Sequence, residues 1–167
     1  MLEKDVMPKV LVLCDSGDQR ADRLAELVAQ GAKNVRFTEV DIRVVGSESA
    51  SNDARRKRLE SGDAVDQYDG IVVVGSDREP SAAIDLLLAA HHHDDFVDRV
   101  FATVSDAETS HRLSHLGGIV VGMRDGGAGL DDSARKTGER VARVAEWVRH
   151  ALSHEHGHGH SHHSHSH

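Results

Sequence analysis

The sequence predicts an α/β protein: a three-layer sandwich on a five-stranded parallel sheet of order 2-1-3-4-5, with helices on both faces. Three observations carry this. Short apolar runs rich in β-branched residues alternate along the chain with segments whose apolar residues recur every three or four positions. The alternation reads βαβ(α)βαβαβα, which implies parallel strands joined by crossovers. No apolar run approaches the ~20 residues of a membrane helix, so no membrane association is expected and the apolar residues are left to build a core.

Each element follows from its own residues. Residues 9–14, KVLVLC, form a short apolar run read as a buried parallel strand. Asp15, Ser16, Gly17 and Asp18 break it. Over residues 19–32, Leu24, Leu27, Val28 and Ala32 recur at helical spacing, with Asp18 placed to cap the helix start and Gly31 near its exit. Residues 35–45 alternate in polarity and predict a second strand, closed by Gly46. The stretch 46–69 is polar, with a short helix expected over 53–60. Residues 70–75, GIVVVG, are the most apolar strand and are expected at the sheet centre. A helix over 81–90 carries Ile84, Leu87 and Leu88 on one side. Residues 99–104 and 118–122 predict the last two strands, with a small helix between them. A long amphipathic helix closes the domain over 131–152, with Val141, Val144, Ala145, Val148 and Leu152 on its apolar face. Residues 1–152 therefore read as one domain. Residues 153–167 contain only Ser, His, Gly and Glu, bury nothing, and are expected to be a disordered His-rich tail.

Composition narrows the function. With 167 residues, 38% hydrophobic and 29% charged, the chain is expected to bury a real core. Twenty basic against 28 acidic residues leave a net charge of −8, which argues against a general nucleic-acid binder. The N-terminus shows no signal-peptide pattern, and the single cysteine, Cys14, excludes an internal disulfide. A reduced, cytoplasmic protein is expected, with Cys14 acting as a small buried hydrophobe. The one basic run, Arg55, Arg56, Lys57 and Arg58, reads as a solvated helix face. A homo-oligomer is left open.

Three stretches carry a family resemblance. They are KVLVLCDSGDQRADRLAELVAQGA (9–32), YDGIVVVGS (68–76), and LGGIVVGM (116–123) followed by GERVARVAEWVRHAL (138–152). Together they resemble the flavodoxin superfamily, and within it the NAD(P)H:quinone oxidoreductase branch that includes the tryptophan-repressor-binding-protein-like flavoproteins. The resemblance implies a flavodoxin-like sandwich that binds FMN, takes electrons from NAD(P)H and passes them to a quinone or another acceptor. It implies that Ser16, Gly17, Gln19 and Arg20 meet the FMN phosphate, where free amides and the positive end of a helix favour an anion. Gly75, Ser76, Asp77 and Arg78, with Ser105 and His111, would border the ring.

The loops depart from that pattern. The first turn carries Asp15, Asp18 and Asp22, three carboxylates beside a proposed dianion. Residues 76–81 hold neither glycine nor aromatic, and 105–111 lack glycine. The five aromatics, Phe37, Tyr68, Phe96, Phe101 and Trp147, all lie elsewhere. The competing expectation is a flavin-free scaffold serving nickel or zinc storage or delivery. Asp15, Asp18, Asp77, Glu79, Asp106 and Glu108, with His111, are also expected to gather at the carboxyl edge of the sheet. Solvated acids that start helices explain them better than a hard-cation site.

Fourteen histidines are the compositional outlier. Eight lie in the tail: His154, His156, His158, His160, His162, His163, His165 and His167. Neutral imidazole is a ligand for divalent nickel and zinc, and a flexible chain brings several rings to one ion. A metal-binding tail is expected, an appended purification sequence being the other reading. His91, His92 and His93 suit a helix C-terminus by the dipole alone. His111 and His115, at i,i+4 spacing, read as a surface pair.

Overall fold

The structure, a computed structural model, describes residues 7–46, 57–59, 65–75, 79–90, 96–105, 110–123 and 129–155. Strand β1 (Lys9–Asp15) shows why the fold needs three layers. Its Val10, Val12 and Cys14 point into one apolar cluster and Leu11 and Leu13 into the other, and all five are at most 1% exposed. A strand apolar on both faces has to be covered on both. Parallel partners flank it: β2 (Glu39–Val45) on one side and, past the short β3 (Lys57–Arg58), β4 (Gly70–Val74) on the other. β5 (Val100–Val104) and β6 (Ile119–Val120) extend the sheet, giving the order β3-β2-β1-β4-β5-β6.

The expected five strands thus keep their expected order, and a sixth is added at the edge. Strand β3 pairs with Arg43 and Val44 of β2 where a helix had been expected over 53–60. The helical expectation is corrected at Lys57 and Arg58; residues 53–56 and 60 lie outside the described residues. The physical reason is the open edge of β2, whose Val44 carbonyl accepts from the Leu59 amide at 2.9 Å while Leu59 itself is buried. Strand β2 also starts later than expected. A turn in which the Thr38 amide donates to the Val35 carbonyl (3.2 Å) precedes it, and Phe37 sits at φ 62° with the Arg36 guanidinium 4.5 Å from its ring.

Helices α1 (Gln19–Lys33) and α4 (Leu130–Glu155) cover one face, whereas α2 (Ser81–Ala90) and the short α3 (Ser110–Leu113) cover the other. The two long helices cross at glycines. A Cβ on Gly31 would overlap the Arg135 carbonyl oxygen, and one on Gly138 would overlap that of Val28. Gly31 is therefore a close-approach residue, in addition to standing near the helix exit. After α3 the chain tightens into a 3-10 turn (Ser114–Leu116), so the segment expected as one small helix is α-helical and then 3-10. Helix α4 continues three residues past the expected end at Leu152, so Ser153, His154 and Glu155 are helical instead of disordered. The Ser153 hydroxyl donates to the His150 carbonyl (2.7 Å) in that extra turn.

The amino edge of the sheet is held by a buried carboxylate. Asp69, 3% exposed, accepts from the Lys9 amide (2.8 Å), Arg99 Nη1 (3.2 Å) and Arg149 Nη1 (3.0 Å). It ties β1, the approach to β5 and α4 together just ahead of β4. Beside it Tyr68 donates to Asp41 Oδ2 at 2.7 Å, under the Lys9 ammonium. The Tyr-Asp pair that heads the central strand is thus a structural clamp, on the edge opposite the site described next. Among the described residues no helix is long and apolar enough to cross a membrane.

Candidate functional site

The order of the sheet locates the site before any side chain is considered. From β1 the chain winds outward through β2 and β3, and it returns to β4 on the other side of β1. The carboxyl ends of β1 and β4 are therefore the point where the winding reverses, the place where open α/β sheets bind ligands. A cleft of about 170 Å³ opens there, lined by Asp15, Ser16, Gly17 and Asp18 after β1 and by Val74, Gly75, Glu79 and Pro80 around the end of β4.

Local chemistry builds each wall. The Ser16 amide donates to the Val45 carbonyl at 2.7 Å, which pins the turn to β2. Gly17 takes φ 83°, in the left-handed region that a side chain resists. Gly46 also has positive φ, and a Cβ there would press on the Ser16 hydroxyl, so the turn is seated against bare backbone. Asp18 caps α1, its Oδ1 accepting from the Ala21 amide at 3.0 Å, as its position in the sequence suggested. On the β4 side the Gly75 amide donates to the Val104 carbonyl (2.8 Å).

The Asp15 carboxylate crosses the cleft floor to the start of α2. There it accepts from the amides of Ala83 (2.9 Å) and Ala82 (3.4 Å), so an acid at the end of the first strand caps a helix 67 residues later in the chain. Burial pushes the Asp15 carboxyl up from its ordinary 3.8; those two amide bonds pull it back down, and the charges of Asp18 and Asp85 push it up again. Glu79, on the rim, is paired with Arg112 Nη1 at 3.0 Å, and the same guanidinium holds Asp85 at 2.7 Å. Nothing in the sequence pattern indicated Arg112, because its partners lie 27 and 33 residues away.

Among the residues expected from the sequence, Ser16, Gly17 and Gly75 come together in the cleft wall. Gln19 and Arg20 open α1 immediately behind it. Ser105 is buried just past the end of β5 and does not line the cleft; His111 lies in α3. Ser76, Asp77 and Arg78 lie outside the described residues, as do Asp106, Glu108 and His91, His92 and His93. Three of the acids expected to gather at the carboxyl edge, Asp15, Asp18 and Glu79, share the cleft. Among the described residues no three His, Cys, Asp or Glu side chains form a metal-binding group. Of the tail histidines, His154 is described, at the end of α4; His156, His158, His160, His162, His163, His165 and His167 lie outside. Cys14 is buried behind the turn, its sulfur 3.9 Å from the Arg43 carbonyl oxygen, as a small core residue.

Comparison with known proteins shows the fold. No protein-family model and no curated protein sequence matches the chain. Among solved structures it is similar to a diflavin flavoprotein A3 from Nostoc sp., at 15% identity, TM-score 0.49, over 89% of this chain and 98% of that one. It is also similar to a short-chain flavodoxin associated with a non-canonical PDU bacterial microcompartment, at 12% identity, TM-score 0.53, over 83% of this chain and 99% of that one. The second likeness establishes the architecture as flavodoxin-like.

A flavin in this fold would need a place and a charge partner. The place is present: the switch-point cleft, with Gly17 exposed in its wall at φ 83°. Among the described residues the charge partner is not. Three of the eight described lining residues are carboxylates and none is a cation, and the first turn of α1 is capped by Asp18 from within the chain. The described residues fit a flavin's position and do not fit its phosphate dianion.

Proposed function

We propose that this protein is a flavodoxin-like redox protein that takes FMN at the switch-point cleft, with the phosphate held weakly. The observation that supports this most directly is the coincidence of the cleft with the reversal of winding between β1 and β4. Ser16, Gly17, Gln19 and Arg20 would meet the phosphate end. Gly75, Ser76, Asp77 and Arg78, with His111, would border the ring; Ser105, buried past the end of β5, would not. When bound, the isoalloxazine supplies hydride and single-electron chemistry; the chain supplies its position and field. NAD(P)H as donor and a quinone as acceptor follow from the sequence resemblance to the quinone-reductase branch.

A second reading is favoured by a specific observation. Asp18 and Asp15 satisfy the N-termini of α1 and α2 without any ligand, which suits a flavin-free scaffold. One experiment separates the two. Protein purified without a metal column is examined for flavin absorbance and then titrated with FMN. Bound flavin, carried or taken up, supports the redox reading, and NAD(P)H oxidation with a quinone then checks the donor and acceptor. A colourless protein that takes up no FMN leaves the flavin-free scaffold.

A further inference from the structure

We propose that the end of helix α4 is itself a metal-binding site, formed by His150 and His154 and independent of the flavin reading. The two residues are one helical turn apart, and their Nε2 atoms lie 3.0 Å from each other on an exposed face. Their rings stand nearly perpendicular, at 86°, with centroids 4.5 Å apart. The sequence pattern puts His150 inside the expected helix and His154 beyond its expected end at Leu152. The extra turn to Glu155 is what brings the rings together.

The separation is the bite of a chelate. Imidazole nitrogens bind first-row divalent metals at about 2.0–2.1 Å, so two of them at a right angle around one ion stand about 2.9 Å apart, and at a tetrahedral angle about 3.4 Å. The observed 3.0 Å, the length of a ring-to-ring hydrogen bond in the metal-free pair, falls between the two values, so the rings need to move little to share one ion of either geometry. Histidines at i,i+4 on a helix are an established way to present two ligands to one ion.

In the metal-free pair one ring donates its Nε2–H to the other ring's Nε2 lone pair. Moving that proton to Nδ1 of the donor ring keeps the ring neutral and frees both Nε2 lone pairs for the ion. A pair already held together on a helix loses less freedom on binding than ligands that must first be brought together, so it sets the site of the first and tightest ion. Water fills the remaining positions. The single tryptophan, Trp147, lies three residues before His150 on the same helix and is 62% exposed, which makes its emission a local probe.

The test uses the full chain. Wild type, His150→Ala and His154→Ala are titrated with copper(II) and with nickel(II) while Trp147 emission is followed. In the wild type the first equivalent is expected to quench the emission. In each variant the affinity for that equivalent should fall at least about tenfold, as loss of a direct ligand costs no less than loss of a supporting partner. Metal-free circular dichroism and melting should be unchanged, since both side chains are exposed. Amide exchange over residues 150–155 should slow in the wild type when one equivalent of metal is added, because the chelate closes the last turn. If His150→Ala binds the first equivalent as tightly as wild type, the histidines beyond the helix suffice and the proposal is overturned. Unslowed amide exchange in the metal-loaded wild type would overturn it equally.

Discussion

Tyr68 is the chain's single tyrosine, 1% exposed, and its hydroxyl is committed to Asp41. Burial, then the hydrogen bond to that carboxylate and its negative charge, raise the phenol from 10.0 to about 12. The sign of the linkage follows. The folded state holds the proton more tightly than the unfolded chain, so the stabilisation is complete below pH 10.0 and fades as pH rises through about 12. A phenolate absorbance titration of the native protein should therefore show its one transition displaced upward by that interval. A midpoint at the ordinary value would contradict the clamp. Tyr68→Phe should cost about 1 kcal/mol in a denaturant melt, the worth of one hydrogen bond to a partly solvated acid. Asp15 follows the same sign, an acid whose burial raises its pKa. Asp15→Asn keeps an acceptor for Ala83 and removes the desolvated charge. The wild type should accordingly gain stability relative to this variant as pH falls through the raised pKa towards 3.8, and below that the difference should stay constant. Parallel pH-dependent melts of the two proteins check this.

At the scale of elements, the crossing of α1 and α4 is the most demanding contact in the fold. Gly31 and Gly138 let each helix press against the other's backbone carbonyls. Gly138→Ala would ordinarily help a helix by about 1 kcal/mol. Here the added methyl meets a carbonyl oxygen that cannot swing away, and overpacking of this kind costs about 1–3 kcal/mol. The expected outcome is a lower urea midpoint with an unchanged slope; a rise in the midpoint would show that the helices can part cheaply. Helix α2 was legible residue for residue over 81–90, and β1, α1, β4 and β5 within a residue or so at each end, since their periodicity is local. β3 and the last turn of α4 were not legible. A two-residue strand has no period of its own, and histidine, serine and glutamate do not announce a helix whose preceding turns are already formed.

Across the whole molecule the decisive feature is the charge of the carboxyl edge. Fold and winding put a cleft where flavodoxin-like proteins have their switch point, yet among its described lining residues the charged ones are acids. If FMN binds there, its phosphate does so against the charges of Asp15, Asp18 and Glu79. Asp18→Asn preserves the helix cap, because asparagine caps as well as aspartate, and removes one of those charges. It should tighten FMN roughly tenfold at low salt, with a smaller gain as salt screens the edge. Flavin fluorescence titrations at two ionic strengths measure it, and equal affinity for both proteins would show that the phosphate lies elsewhere. The candidate site was partly legible beforehand: Ser16, Gly17 and Gly75 stand where strand-ending turns had to be. The pairing of Asp15 with the α2 amides and of Glu79 with Arg112 was not, because these partners lie 33 to 68 residues apart.

Apart from β3 and the last turn of α4, the amino-acid order alone determined which segments extend, which coil, and which faces must be covered, because those choices are made by side chains within a few positions of one another. Only the tertiary structure decided what the acids at the strand ends are for. A carboxylate's role depends on which amide, cation or second acid the folded chain brings to it. That distance is a property of the packed layers and is written in no short stretch of sequence.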